Sequence, residues 1–305
     1  MLTTLHALGV QKMAIKRLYA LVKQTVMNWL DDYAPSMGAA IAFYTVFSLA
    51  PLVIIVIGIA GFFWGHEAAQ GQLFEQISAL VGAEGGKAVE SVVLGAQEPA
   101  QGIAATVISV VMLVIGSTTV FSELQSALDR IWKVNAKKQS GIWALMRARL
   151  LSFGLILTLA FLLIVSLIVS TVLAALGSWL GGGDPGWGLL LQAVNEAVTV
   201  GILTLLFGMI YRFMPQAPVA WRDVWAGAFV TAVLFEIGKF LIGLYMAKAS
   251  IASSYAAAGS LVVVLIWVYF AAQVFLLGAE FTRVFAEAHG SHTERSPASL
   301  AGSDT

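Results

Sequence analysis

Six runs of apolar residues cross the chain, at about 38–64, 102–121, 150–178, 189–211, 225–246 and 260–282. Each reaches or approaches the ~20 residues that an α-helix, rising ~1.5 Å per residue, needs to cross ~30 Å of hydrocarbon. None shows the strict polar–apolar alternation of a barrel strand. A backbone amide left unpaired in lipid costs several kcal/mol, so these runs predict helices, which pair their own backbones.

The gaps between the runs carry the orientation. Lys12, Lys16, Arg17 and Lys23 precede the first span, and Arg130, Lys133, Lys137, Lys138, Arg147 and Arg149 follow the second. Arg212 and Arg222 follow the fourth, and Arg283 and Arg295 follow the sixth. The other gaps hold only Lys87 and Lys248, and Lys239 lies inside the fifth span. Lys and Arg concentrate on the cytoplasmic side, so both termini are expected there. The first 30 residues lack a continuous apolar stretch, so the first span is expected to act as anchor and start-transfer signal.

Shorter amphipathic stretches lie in the gaps. Leu18, Leu21, Val22, Thr25, Val26 and Trp29 share one helical face, with Lys12, Lys16 and Lys23 on the other. Leu124, Leu128, Ile131 and Trp132 recur at the same spacing beside Arg130 and Lys133, within an inner basic loop over 122–149. An outer segment over 66–98 holds two more such stretches, with Gly85-Gly86 expected to break them. One-faced helices of this kind lie in the headgroup layer. The predicted fold is all-α: a polytopic membrane protein whose six-transmembrane-helix bundle fills a single domain over 1–285, with amphipathic interfacial helices. A Ser-, Thr-, Glu- and Gly-rich tail over 286–305 is expected to be disordered.

Composition narrows the function. The chain is 59% hydrophobic and only 11% charged, against about 25% charged in ordinary soluble domains. Its formal net charge is zero, which gives no electrostatic footprint for nucleic acid. There is no cysteine, so thiolate metal sites and cysteine nucleophiles are excluded. His6, His66, His289 and His292 show no ligand spacing, and no P-loop or nucleophile triad is present. No catalytic residue, metal or cofactor is expected.

Charges inside the spans are the candidate sites, because each costs about 2.5–3.5 kcal/mol at mid-bilayer unless it is paired or wet. Glu236 and Lys239 stand three apart on one helix face. Taking span centres near 235, 200 and 271, Lys239 and Glu196 both sit ~6 Å outward of the midplane, and Gln273 lies ~3 Å inward, near the depth of Glu236. Glu196, Glu236, Lys239 and Gln273 are therefore a candidate intramembrane polar layer. Glu280 sits at the inner end, one turn before Arg283. It either pairs there or forms an inner gate with Arg212 or Arg130. Pro51, which removes a helix hydrogen bond, makes a candidate hinge or vestibule with Tyr44 and Ser48.

Several of these positions carry a family resemblance. Gly38, Ala42-Phe43-Tyr44 and Phe47-Ser48-Leu49-Ala50-Pro51, then the stretch ELQSALDRIWKV, resemble the YihY/BrkB family of inner-membrane proteins. So do Tyr211-Arg212-Phe213-Met214-Pro215, and in the last span Gly259-Ser260, Trp267-Val268-Tyr269, Gln273 and Gly278-Ala279-Glu280-Phe281. The resemblance covers roughly residues 25–285. It implies a six-span, multi-pass protein of the bacterial inner (plasma) membrane, linked to envelope integrity and serum resistance. The ribonuclease label once attached to the family is rejected here, because no solvated cluster of metal-binding or acid–base residues exists for it. Two readings follow: a transporter-like or lipid-handling protein in contact with membrane lipids, or an envelope scaffold that binds a protein partner through its outer amphipathic segment.

Overall fold

The computed structural model describes residues 2–81, 83–96, 119–134, 172, 185–217, 219–249 and 259–289. The expected spans over 102–121 and 150–178 lie outside these residues, apart from positions 119–121 and 172. Among the described residues every regular element is an α-helix. We name them α1 (Leu2–Asp31), α2 (Ala34–Trp64), α3 (His66–Val81), α4 (Ala83–Ala96), α5 (119–131), α6 (Pro185–Phe213), α7 (Trp221–Ala249) and α8 (Gly259–His289).

Among the described residues, four helices are long and apolar enough to cross a membrane, over Ala34–Ile54, Leu190–Phe213, Trp221–Met246 and Gly259–Ala288. They match the first, fourth, fifth and sixth predicted runs. Apolar side chains on them face outward, including Phe43, Phe47, Phe229, Ile237, Phe240 and Leu241. Lipid suits such a surface and water does not. α8 continues to His289, into the region expected to be tail. α2 runs unbroken through Pro51 and stops at Gly65, whose φ of 84° suits glycine and whose amide donates to the Gly61 carbonyl at 2.9 Å.

The chain divides into two compact units, each discontinuous in sequence. Unit 2 comprises Tyr33–Ala127 and Leu234–Val274. Its core joins Val53 and Ile57 of α2, Phe74 of α3, Val89 and Val93 of α4, Met246 of α7, and Val263 and Val264 of α8. α3 and α4 pack on each other and on α2. Gly86 does not break the chain as expected. It lies inside α4 against Ser78, where an added Cβ would stand 2.8 Å from the Ser78 Cα. Phe74, Val89 and Val93 of this segment are therefore core, whereas Leu94 is exposed.

Unit 1 comprises Met1–Asp32, Leu128–Val233 and Phe275–Thr305. Leu128 and Ile131 of α5 are fully buried in it, so this basic helix packs into protein while exposing Arg130 and Lys133. α1 has two apolar sectors where the sequence suggested one. Thr25 is buried and Leu21 half-buried, while Leu18, Val22, Val26 and Leu30 are exposed. Exposed Lys16, Arg17 and Lys23 accompany the outward sector. At the α6–α7 connection, Phe213, Trp221 and Trp225 form an aromatic run, with ring centroids 5.7 Å and 6.1 Å apart, as at membrane interfaces.

Helices α7 and α8 approach through small residues. In unit 1, Gly227 faces Thr282 and Gly278 faces Thr231, so the two helices run antiparallel. Each threonine hydroxyl donates to the carbonyl of the glycine one turn before it, at 2.7 Å. The Tyr211 hydroxyl of α6 closes the group, donating to the Phe275 carbonyl at 2.7 Å and lying 3.1 Å from the Thr231 hydroxyl. In unit 2, Gly238 meets the Phe270 ring. Without a hydrophobic drive between helices in lipid, such close contact is what holds them.

A Cβ at Gly278 would stand 1.8 Å from the Thr231 Oγ1 and 2.6 Å from the Tyr211 hydroxyl, whereas one at Gly243 meets nothing within 4 Å. Gly278→Ala should therefore cost about 1–3 kcal/mol from overpacking, and Gly243→Ala should be neutral or mildly stabilising. Thermal unfolding of the two variants in detergent checks this, and equal melting temperatures would remove the packing argument.

Candidate functional site

The residues at the α1–α2 junction assemble a charged cluster within unit 1. α1 ends at Asp31, and the Asp32 amide still donates to the Asn28 carbonyl at 2.8 Å. Tyr33 then turns the chain with φ of 59°. Across from it α5 ends in a matching way. Lys133 takes φ of 51°, its amide donates to the Arg130 carbonyl at 3.0 Å, and the Val134 amide reaches the Asp129 carbonyl at 2.9 Å. That is a Schellman closure, with lysine where glycine is usual. Tyr33 and Lys133 are the non-glycine residues with positive φ among those described, and both stand beside one ion pair, between the Lys133 ammonium and Asp32 Oδ1. Left-handed backbone at a side-chain-bearing residue costs of order 1–2 kcal/mol, so surrounding contacts must hold it.

α8 carries a second group of paired charges in the same unit. Glu280 is fully buried, and Arg283 donates to its Oε2 through Nη2 at 3.1 Å and Nε at 3.3 Å. Arg283 Nη1 also reaches Glu287 Oε1 at 2.9 Å. Sequence reasoning weighed Arg283 as a partner for Glu280 and missed the Lys133–Asp32 pair. The only sequence signal was an acid pair, Asp31-Asp32, ending a basic amphipathic helix.

The remaining candidate residues are placed as follows. Arg212 donates through Nη1 to the Val219 carbonyl, fixing the α6–α7 connection. Arg130 is exposed on α5. Its neighbour Asp129 is buried and accepts the Gln216 amide at 2.7 Å, tying α5 to the Met214–Ala217 turn. Glu196 is exposed on α6 in unit 1, while Glu236, Lys239 and Gln273 belong to unit 2. Lys239 pairs with Glu236 at 2.6 Å, their side chains 22% and 15% exposed. Gln273 donates to the Pro35 carbonyl at 3.3 Å, with Gly38 closed against its amide. Ser48 is buried and donates to the Thr45 carbonyl at 3.0 Å. Tyr44 is half-buried, edge-on to Phe43 at 5.5 Å between centroids. Among the described residues, no group of three or more His, Asp or Glu is placed to hold a metal ion.

Comparison with known proteins agrees with this frame. The family model described as Virulence factor BrkB matches residues 25–302. The chain is a member of the BrkB family. Similar curated proteins include a UPF0761 membrane protein of Ralstonia nicotianae, 29% identical over 270 residues, covering 87% of this chain and 58% of the relative. One from Neisseria meningitidis serogroup B is 26% identical over 236 residues, covering 77% and 55%. One from Pseudomonas paraeruginosa is 29% identical over 260 residues, covering 83% and 59%. The chain thus spans a little over half the length of these relatives. No solved structure matches it. Within this BrkB-family chain the Arg212–Pro215 and Gly278–Phe281 stretches that carry the resemblance lie in unit 1, beside Tyr211 and Glu280.

Asp129, outside the spans, links structure to pH. Burial raises its carboxyl above the ordinary range, and the Gln216 amide pulls the other way. Its neutral form therefore favours the fold. That stabilisation is complete below the ordinary carboxylate range and is lost as pH rises through the folded value. Asp129→Asn should flatten the pH dependence of thermal unfolding on that rising-pH limb. A slope unchanged from wild type would show that Asp129 ionises without consequence.

Proposed function

We propose that this BrkB-family membrane protein is transporter-like or lipid-handling, and that the Glu236–Lys239 pair contacts the polar part of an amphiphilic or polar solute within the bilayer. The observation that carries this reading is the accessibility of the pair. A charge pair that served insertion alone would be best sealed in protein. Here both side chains are partly open, beside Phe229, Ile237 and Phe240, which face outward. A polar spot opening on an apolar, lipid-facing surface suits a lipid headgroup drawn below the interface.

The scaffold alternative needs a free outer apolar face. Phe74, Val89 and Val93 of α3 and α4 are buried in the unit 2 core instead, which favours the first reading. The topology carried forward in the proposal is a multi-pass protein of the bacterial inner membrane with both termini cytoplasmic, serving envelope integrity.

Reconstitution into liposomes tests this by lipid scrambling and solute flux. Lys239→Ala strands Glu236 in the span and should lower both stability and rate, the rate by about tenfold or more, equivalent to ~1.4 kcal/mol in the barrier. The double variant Glu236→Gln/Lys239→Met removes both charges and should restore stability but not rate. Recovery of both would leave the pair as an insertion device and end the proposal.

A further inference from the structure

Helix α1 turns one side to unit 1 and a different, apolar side outward. At ~100° per residue, Leu18, Tyr19, Val22, Val26 and Leu30 fall within one sector of ~120°, and all five are exposed. The side that meets protein is another one. Thr25 is buried there, its hydroxyl donating to the Leu21 carbonyl at 2.8 Å. Asp32, just past the helix end on that same side, is buried and paired with Lys133.

The chain itself fixes where the outward sector stands. Only Asp32 and Tyr33 separate α1 from the candidate span that opens at Ala34, so the last turn of α1 lies where that span meets the headgroups. Rising from there into water, α1 would hold Leu18, Tyr19, Val22, Val26 and Leu30 in solvent. Entering the hydrocarbon, it would carry exposed Lys16, Arg17 and Lys23 with it. Lying along the surface meets both requirements. Charge then selects the lipid. α1 holds Lys12, Lys16, Arg17 and Lys23 against a single acid, Asp31. Lys16 and Lys23 border the apolar sector, where their stems cover it and their ammonium groups reach outward. Asp31 stands ~180° around the helix from Val22.

We propose that α1 is a docking surface for anionic phospholipids of the surrounding membrane. The apolar sector sinks to the boundary between headgroups and acyl chains, and Lys16, Arg17 and Lys23 gather lipid phosphates beside it. Asp32 and Lys133 hold the end of α1 to unit 1, so the lipid contact is carried by a helix already fixed to the protein. This surface is independent of the Glu236–Lys239 reading and does not require transport.

The chain has no cysteine, so Val22→Cys and Gln24→Cys, both at exposed positions, each offer a unique site for a fluorophore on the full chain. The labelled proteins are reconstituted in phosphatidylcholine vesicles containing phosphatidylglycerol or phosphatidylcholine spin-labelled at one shallow acyl position. Val22→Cys should be quenched by the lipid probes and protected from aqueous iodide, and Gln24→Cys, on the other side of the helix, should show the reverse. One basic side chain near an anionic surface is worth a factor of about five, so phosphatidylglycerol should be enriched beside Val22→Cys by at least that much over phosphatidylcholine. The excess should disappear at high salt and in Lys16→Gln/Arg17→Gln/Lys23→Gln, whose exposed positions leave the fold intact. Iodide quenching of Val22→Cys equal to that of Gln24→Cys would place the sector in water and overturn the proposal. So would equal enrichment of the two lipids, or an excess that survives the triple substitution. Self-quenching between labelled copies that fades on dilution with unlabelled protein would show a second copy on the sector instead, and would also overturn it. Flux is read separately, so lipid enrichment without flux would remove the transport reading and leave this surface standing.

Discussion

Inside a bilayer no water stands ready to complete a polar group, so every hydroxyl, amide and charge must be answered by the protein. Much of the described structure follows from that requirement. The Thr231 and Thr282 hydroxyls turn back on their own helix carbonyls, which lets them sit against glycines with no unmet donor. Tyr211, fully buried, reaches a backbone oxygen on α8. Lys239 and Glu236 answer each other one turn apart. Asp32 Oδ2, Glu280 Oε1 and Gln273 Oε1 depart from the rule, each buried with no hydrogen-bond partner among the described residues.

The same solvent governs how the helices meet. Lipid tails are as apolar as Leu or Phe, so burying such a side chain between spans gains little over leaving it in lipid. Phe229, Phe240 and Leu241 accordingly stay outward on α7, while the contacts with α8 pass through Gly227, Gly238 and Gly278. α3 and α4 bury Phe74 and Val93 in the more usual way. A segment that is not itself a span gains from leaving water, and its apolar faces close over the ends of helices at Ile57, Met246 and Val263.

The spans were legible because a long apolar run is a local property. Ala34–Trp64 and Gly259–His289 each contain one within consecutive residues. The Glu236–Lys239 pair was legible for the same reason, since three positions apart on a helix fixes a shared face. What stayed hidden was long-range. Gly227 and Thr231 look like any small residues four apart, and nothing local says they oppose Thr282 and Gly278. Asp32 reads as the end of an amphipathic helix, and its encounter with Lys133 depends on where α5 stops.

The interleaving of the two units has a consequence for biosynthesis. Residues 33–127 of unit 2 must wait for 234–274, and unit 1 needs 275–289 to supply Glu280 and Arg283. Both therefore depend on α8, so neither can close while the ribosome is still translating the segments before it. Pairings this distant in sequence are slow to form, because the chain between them must first be gathered. Until α8 arrives, Phe74, Val93 and the helix ends they cover would be open to water or to other membrane proteins, so this chain is one whose early helices would benefit from being shielded by the insertion machinery or a membrane chaperone.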